Sequence, residues 1–385
     1  MTRTAFFGAR IFDGQEWNDD AALLVNGGVV EGIVAEGDIP YGVTRHGLDG
    51  GMLVPGFIDL QVNGGGGVLL NDDRTLSGLR TICSAHYQYG TTALLPTLIT
   101  DTPEVTAQTV AAGRQAVEAQ LPGFIGLHLE GPHLSLARKG AHDPALIRPM
   151  SEDDLNNLIA ARKALPNLLS TVAAETVRPE QIARLSEAGV VVSIGHSDAS
   201  MAQVEAAAAA GASMATHLFN AMSQIGNREP GVAGAVLSLG SLSAGLIADG
   251  IHVHPQTIGI ALRAKRGPAE IFLVTDAMAL TGSDLQSFTL NGRVIHRANG
   301  ALRLEDGTLA GADLTMIDAI KYMRDVVGIS LEEALRMATV YPARSMKIAH
   351  RHGFLGEGGV ASFVHLSDDL AVRSTWIDGA SVFVA

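Results

Sequence analysis

The stretch VVVSIGHSDASMAQVEAAAAAGASMATHL, residues 190–218, decides the fold. It opens on VVVSIGH (190–196), an apolar run rich in β-branched residues that reads as a strand. The alanine-rich MAQVEAAAAAG (201–211) then reads as a helix, and SMATHL (213–218) returns to a strand. Strand, helix, strand in about 30 residues is the βαβ unit of a parallel sheet.

The same alternation runs outward in both directions. Strands are expected at FIDLQV (57–62), TTALLPTL (91–98), FIGLHLE (124–130), LSTVAAE (169–175), SAGLIAD (243–249) and IFLVTD (271–276), besides the two just quoted. Helical stretches LSGLRTICSAHYQYG, PEVTAQTVAAGRQAVEAQ and PEQIARLSEAG sit between several of them. Eight such units over roughly 220 residues fit a closed (β/α)8 TIM-type barrel better than an open sheet. The fold class is therefore α/β. Residues 1–52 and 356–385 hold short strand-like runs split by glycine turns and are expected to build one small β-sandwich domain from both termini. The barrel would span 53–355, with SFTLNGRVIHRANGALRLEDGTLAG (287–311) as a hairpin inserted after the last strand.

Bulk composition narrows the function classes. Hydrophobic residues make up 47% of the 385 and charged residues 17%, which is a core-rich globular chain. A formal net charge of −13 argues against nucleic acid as a partner, which needs a basic face, but leaves room for a small anionic substrate. Cys83 is the single cysteine, so neither a disulfide framework nor a cysteine zinc site is available. MTRTAFFGARIFDG lacks the apolar core of a signal peptide, and no stretch is apolar enough to span a membrane; a cytoplasmic location is expected.

Barrel enzymes collect chemistry at the C-terminal ends of their strands. Strand three ends His128-Leu129-Glu130, strand five Gly195-His196-Ser197-Asp198, strand six Thr216-His217-Leu218-Phe219-Asn220, and strand eight Val274-Thr275-Asp276. A single His at a strand end is more often a hydrogen-bonded packing residue. Four such endings on one rim point to a site. Glu130, His196 and His217 offer two imidazoles and a carboxylate, a hydrolytic zinc set with the fourth position left for water. A divalent ion there lowers the pKa of water from about 16 towards ~7. Asp276 is then the expected general base, taking the water proton and passing it to a leaving group. The competing reading makes Asp276 a cap for a following helix.

In combination and in order, HLEGPH, KGAH, GHSDA, THLFNAM, DGIHVHP and VTDAMA resemble the N-acetylglucosamine-6-phosphate deacetylases of the amidohydrolase superfamily, over nearly the whole chain. The resemblance implies metal-dependent hydrolysis of the acetamide of N-acetylglucosamine 6-phosphate to glucosamine 6-phosphate and acetate. Many amidohydrolases carry His-x-His at the end of strand one, where this chain has Gln61-Val62-Asn63, and strand four offers no lysine to carbamylate. That implies one divalent ion per chain, zinc by first expectation, with iron, manganese or cobalt as alternatives. Asp59, Gln61 and Asn63 would then form a hydrogen-bonded floor beneath the ligands. The family pattern further implies a sugar-phosphate pocket contacted by Ala141 and His142 of KGAH and by Asn220 and Ala221 of FNAM. Arg228 and His252 would serve the phosphate end, with His254 the rival of His252, Asp249 would be a further substrate-binding residue, and Leu309, Ala310 and Gly311 would close over the sugar. A homodimer is implied as well. AAET at 173–176 lacks the usual proline, and His133 stands where an aromatic is common. The rival readings are an amidohydrolase for a different N-acyl or cyclic amide, and a non-catalytic sugar-phosphate sensor.

Overall fold

The structure, a computed structural model, describes residues 3–385. At its centre eight strands lie side by side in chain order: Phe57–Val62, Thr91–Ile99, Leu127–Glu130, Leu168–Val172, Val191–Ile194, Met214–Ala215, Ser243–Leu246 and Ile271–Leu273. Neighbours from the second strand to the eighth pair in parallel. The first and eighth strands meet at a parallel bridge between Val62 and Ala277. Three backbone hydrogen bonds hold that seam: Asp276 N–H to Gln61 O at 3.0 Å, and Asn63 N–H and Gly64 N–H to Ala277 O at 2.8 and 3.2 Å. Together they nearly close the sheet into a barrel.

Several strands are shorter than the apolar runs suggest. Strands five, six and eight stop at Ile194, Ala215 and Leu273, just before His196, His217 and Asp276. The reason is conformational. These three residues have φ of +47°, +28° and +53°, a left-handed backbone that no strand runs through. Strand three begins only at Leu127, because Gly126 at φ +143° interrupts the run after Phe124.

Seven helices follow the first seven strands: Leu76–Tyr87, Pro103–Glu118, Glu152–Ala164, Pro179–Glu187, Met201–Ala209, Gly231–Ser238 and Pro255–Ala264. Local signals start several of them. Ser151 and Ser200 form capping boxes with Asp154 and Gln203, and Thr102 caps a helix with Pro103 in its first turn. Among the described residues no helix is long and apolar enough to cross a membrane. Cys83 is buried, and burial pushes its thiol up to about 12.

After strand eight comes a four-stranded antiparallel meander instead of the single expected hairpin: Ser287–Leu290, Arg293–Ala298, Ala301–Leu304 and Leu309–Ala312. Asn291-Gly292 and Asn299-Gly300 all have positive φ, so each dipeptide makes a tight turn of its own. Leu290, Ile295, Leu302 and Leu304 pack with Ile99, Met278 and Leu280.

The chain divides into two compact units. One takes in the described residues of Met1–Asp59 together with His86–Ala93 and Thr315–Ala385; the other takes in Leu60–Ala85 and Leu94–Leu314. In the first, Val29–Ala35, Ala21–Asn26, Arg3–Phe7 and Thr44–Gly47 form a four-stranded sheet. A six-stranded sheet joins both termini through antiparallel pairing of Met52–Pro55 with Phe363–Leu366. Phe6, Leu23, Val25, Leu53, Phe363 and Trp376 form the core between them, with Phe6 edge-on to Phe363 at 4.8 Å. This is the β-sandwich expected of the two ends.

Candidate active site

Glu130 ends strand three, and the turns after strands five and six bring His196 and His217 onto it. His196 Nε2 lies 3.1 Å and His217 Nε2 3.2 Å from Glu130 Oε1, and the two Nε2 atoms are 3.1 Å apart. All three side chains are buried. His196 donates Nδ1–H to Arg138 O at 2.9 Å, which leaves its Nε2 as a lone pair facing the cluster. Burial alone would raise Glu130, but the imidazoles of His196 and His217 that face it hold it well below its ordinary value. Burial would lower His217; the Glu130 hydrogen bond and charge raise it instead. Two imidazole nitrogens and a carboxylate oxygen thus face one point, where they can share a cation.

His142 offers a second triad, since ligand atoms of Glu130, His142 and His196 lie within 4.8 Å of one another. Its hydrogen bonds decide between the two. His142 Nδ1 accepts from Thr100 N–H at 3.3 Å and lies 2.7 Å from Thr100 Oγ1. Nδ1 is therefore unprotonated, and the ring, kept neutral first by burial and then by the neighbouring His196, carries its hydrogen on Nε2. An N–H is a donor and not a ligand. Glu130, His196 and His217 are the tighter and chemically better donor set.

Beside them stands Asp276. Asn63 Nδ2 donates to its Oδ1 at 2.7 Å and Gln61 Nε2 at 3.1 Å, while Gln61 also reaches Glu130 Oε1 at 3.2 Å. Both amides use Oδ1, so Oδ2 is the oxygen left for a proton. Burial first, then the Glu130 charge, push Asp276 up to about 6. No helix follows Asp276; the chain runs on to the inserted sheet, which removes the helix-cap reading. Asp59 is fully buried on the same strand as Gln61 and belongs to the other unit.

Asn63, Glu130, His196, His217 and Asp276 form the floor of a cavity of about 540 Å³, whose lining does not include Asp59 or Gln61. Ala141, His142, Asn220 and Ala221 line it, as do Leu309, Ala310 and Gly311 of the inserted sheet. Of the two rival histidines, His252 lines the cavity, whereas His254 caps the helix Pro255–Ala264 by accepting from Gln256 N–H at 3.2 Å. Asp249 is not in the lining. It accepts His252 Nδ1–H at 2.6 Å, and although burial would raise it, that bond and the backbone N–H groups of Ile251 and His252 keep it low. Arg228 is exposed on the 223–230 loop and lies outside the lining. His128 turns into the barrel interior, 2.7 Å from Thr171 Oγ1, as a packing residue.

Two lining cations escape the sequence reading, Arg138 and Arg303, along with the apolar Ile99, Ile247, Met278 and Leu290. Only the proximity of Arg138 to KGAH could have flagged the first; nothing in the sequence marks the second. A separate cavity of about 290 Å³ lies between the helices Pro103–Glu118 and Glu152–Ala164. Its polar lining includes His133 and the Arg148–Asp154 ion pair, and no acid–base cluster converges there.

Comparison with known proteins agrees with this geometry. The Amidohydrolase family profile matches residues 52–382. A Shewanella sp. protein named N-acetylgalactosamine-6-phosphate deacetylase is 41% identical over 381 residues, covering 98% of this chain and 95% of its own. The N-acetylglucosamine-6-phosphate deacetylase of Haemophilus influenzae is 35% identical over 363 residues, 94% of each chain. In structure, the N-acetylglucosamine-6-phosphate deacetylase of Pasteurella multocida superposes with a TM-score of 0.95 at 35% identity over 100% of both chains.

Proposed function

Because this chain belongs to the amidohydrolase family, we propose that it hydrolyses the acetamide of N-acetylglucosamine 6-phosphate to glucosamine 6-phosphate and acetate in amino-sugar catabolism. One observation carries the reading: Glu130, His196 and His217 converge within 3.2 Å beside a carboxylate, Asp276, that two amides hold by a single oxygen.

The donor set fits one divalent ion, which we take to be zinc, and Gln61 and Asn63 give no imidazole pair for a second. Bound there, the ion supplies Lewis acidity to the acetyl carbonyl and to a water. The chain's own residues do the rest. Asp276 Oδ2 accepts the proton of the attacking water as the carbonyl carbon becomes tetrahedral. The same oxygen then returns the proton to the sugar nitrogen, because an amide anion is too basic to leave. His142 directs Nε2–H at the carbonyl oxygen and stabilises the charge that develops there. Gln61 and Asn63 fix the carboxylate so that no reorganisation is needed at the moment of transfer.

At the other end of the sugar, His252, oriented by Asp249, faces the phosphate. Asn220 and Ala221 contact the sugar, and Leu309, Ala310 and Gly311 cover it. The exposed position of Arg228 is compatible with phosphate binding only if its loop reaches the cavity of a second copy, which accords with a homodimer. We place the enzyme in the cytoplasm, with 53–355 as its catalytic domain and 1–52 and 356–385 as the β-domain.

The relative at 41% identity is named for the galactosamine epimer, which favours N-acetylgalactosamine 6-phosphate as a second substrate. Acetate release from both N-acetylhexosamine 6-phosphates and from their unphosphorylated forms tests the proposal. Turnover should require the acetamide and favour the phosphate esters. Absence of acetate from all four sugars would sink it.

A further inference from the structure

The second barrel strand, Thr91–Ile99, supplies neither a candidate metal ligand nor the base, yet the residue after it reaches His142. Ile99 pairs with Glu130 in the strand register, so Thr100 falls beside Gly131. Glycine leaves the room there: a Cβ on Gly131 would stand 2.2 Å from Thr100 Oγ1. Thr100 is buried, and its hydroxyl has two acceptors near it, His142 Nδ1 at 2.7 Å and Glu130 O at 3.5 Å. The shorter contact takes the hydrogen. Thr100 N–H points to the same nitrogen at 3.3 Å. That backbone donor settles the direction. An N–H can only donate, so Nδ1 offers its lone pair to both groups of Thr100.

The other contacts that hold His142 among the described residues act on its backbone or on its ring plane. His142 N–H donates to Lys139 O at 3.0 Å, and Arg293 donates to the neighbouring Ala141 O. The ring stands edge-on to His196, with centroids 4.3 Å apart and 61° between the planes. A half-turn about the Cβ–Cγ bond would keep that packing, because the ring centre lies close to the bond axis. The half-turn would put Cδ2–H against Thr100 in place of Nδ1 and carry Nε2 away from its position. Packing is thus indifferent between the two ring settings, and Thr100 is not. Burial makes the choice firm, since a buried polar atom left without its partner is costly.

We propose that Thr100 is a positioning residue, whose hydroxyl holds His142 in the one ring setting that aims Nε2–H at the acetyl carbonyl. The proposal rests on the deacetylase reading above, and its test keeps the two apart. Zinc-loaded wild type, Thr100→Val, Thr100→Ser, His142→Gln and the double variant Thr100→Val/His142→Gln are assayed for acetate release from N-acetylglucosamine 6-phosphate. Bound metal and melting midpoint are measured for each. Thr100→Val should lose roughly 5- to 50-fold in kcat with KM and bound metal unchanged, and serine, which keeps the hydroxyl, should restore most of it. In the His142→Gln background the same valine should cost less than about twofold, because the residue it acts through is gone. Should valine prevent folding, Thr100→Ala takes its place. Equal losses in both backgrounds, a valine variant within about twofold of wild type, or a serine variant as slow as the valine one overturns the proposal. The ring is also read directly, by NMR of nitrogen-labelled histidine, with His142 located by its absence from His142→Gln. Wild type should carry the hydrogen on Nε2 alone, and Thr100→Val should share it between the two nitrogens. If wild type releases no acetate, the deacetylase reading falls, and the spectra decide on Thr100 by themselves. Loss of the single tautomer in the valine variant then supports its role, and an unchanged tautomer refutes it.

Discussion

Replacing Asp276 by Asn should stabilise the metal-free fold while stopping the reaction. Asp276 is pushed up to about 6, first by burial and then by the Glu130 charge, against an ordinary 3.8. A carboxyl whose pKa is raised on folding binds more protons folded than unfolded between those two values. Stability therefore falls as pH rises through that window, and above it the full penalty is present. The shift corresponds to about 2 to 3 kcal/mol at pH 7.5, an upper bound for a group only partly buried. Asparagine removes the charge and still offers Oδ1 to Asn63 and Gln61, which keeps the floor intact. Urea unfolding of chelator-treated wild type and D276N measures the gap. It should be largest near pH 7.5 and close to zero near pH 4. Acetate release from the metal-loaded variant should drop by about 10²- to 10⁴-fold. A variant less stable than wild type at pH 7.5, or a gap that ignores pH, would refute the electrostatic reasoning. Turnover within tenfold of wild type would refute the role of Asp276 as base.

Elemental analysis should find about one divalent ion per chain, lost in E130Q, H196Q and H217Q but kept in H142Q. H142Q should still turn over about 10²- to 10³-fold more slowly, and loss of its ion would make His142 a ligand instead. Gly311→Ala meets two obstacles: φ is +68°, and its Cβ would stand 2.6 Å from Met278 Sδ and 2.9 Å from Asp276 O. A destabilisation of about 1–3 kcal/mol with reduced turnover is expected; a variant indistinguishable from wild type in melting and activity contradicts it. In the β-sandwich unit, burial and then the charges of Arg351 and His350 lower His352 to about 4. The unfolded chain then binds the extra proton, so this contribution is complete above about 6.5 and fades as pH falls towards 4, by at most about 3 kcal/mol. H352Q should flatten that acid limb of the unfolding profile, and an unaltered slope excludes His352 as its source.

The barrel is legible because apolar strand runs alternate with helices that carry their own start signals. Phe57–Val62 has the bounds its alternation implies. The strand ends are less legible. Hydrophobicity continues through His196, His217 and Asp276, while the backbone has already turned left-handed, and that turn depends on tertiary packing. Residue types at the rim make the cluster of Glu130, His196, His217 and Asp276 visible, since few folds gather two imidazoles and two carboxylates at one edge without a chemical reason. Arg228 and Arg303 show the opposite case. A motif can suggest that an arginine meets phosphate, but only the path of the loop says whether it faces this chain's cavity. The two Asn-Gly turns of the inserted sheet are strong hairpin signals, and reading them as one hairpin underestimates the element.

The bridge that joins the first and last barrel strands has a bearing on biosynthesis. Gln61 and Asp276 are 215 positions apart, and the bonds between them are both the closing stitch of the barrel and the seat of the proposed base. On the ribosome, Glu130, His196 and His217 are all made before Asp276. A growing chain therefore acquires the full set proposed to bind the cation while the opposite edge of the sheet is still unmatched. Only when the last strand arrives does the carboxylate reach the amides that aim it. On the proposed assignment, a fragment broken off before residue 276 carries every ligand and no carboxylate to use it, so activity reports closure of the barrel rather than possession of the ion.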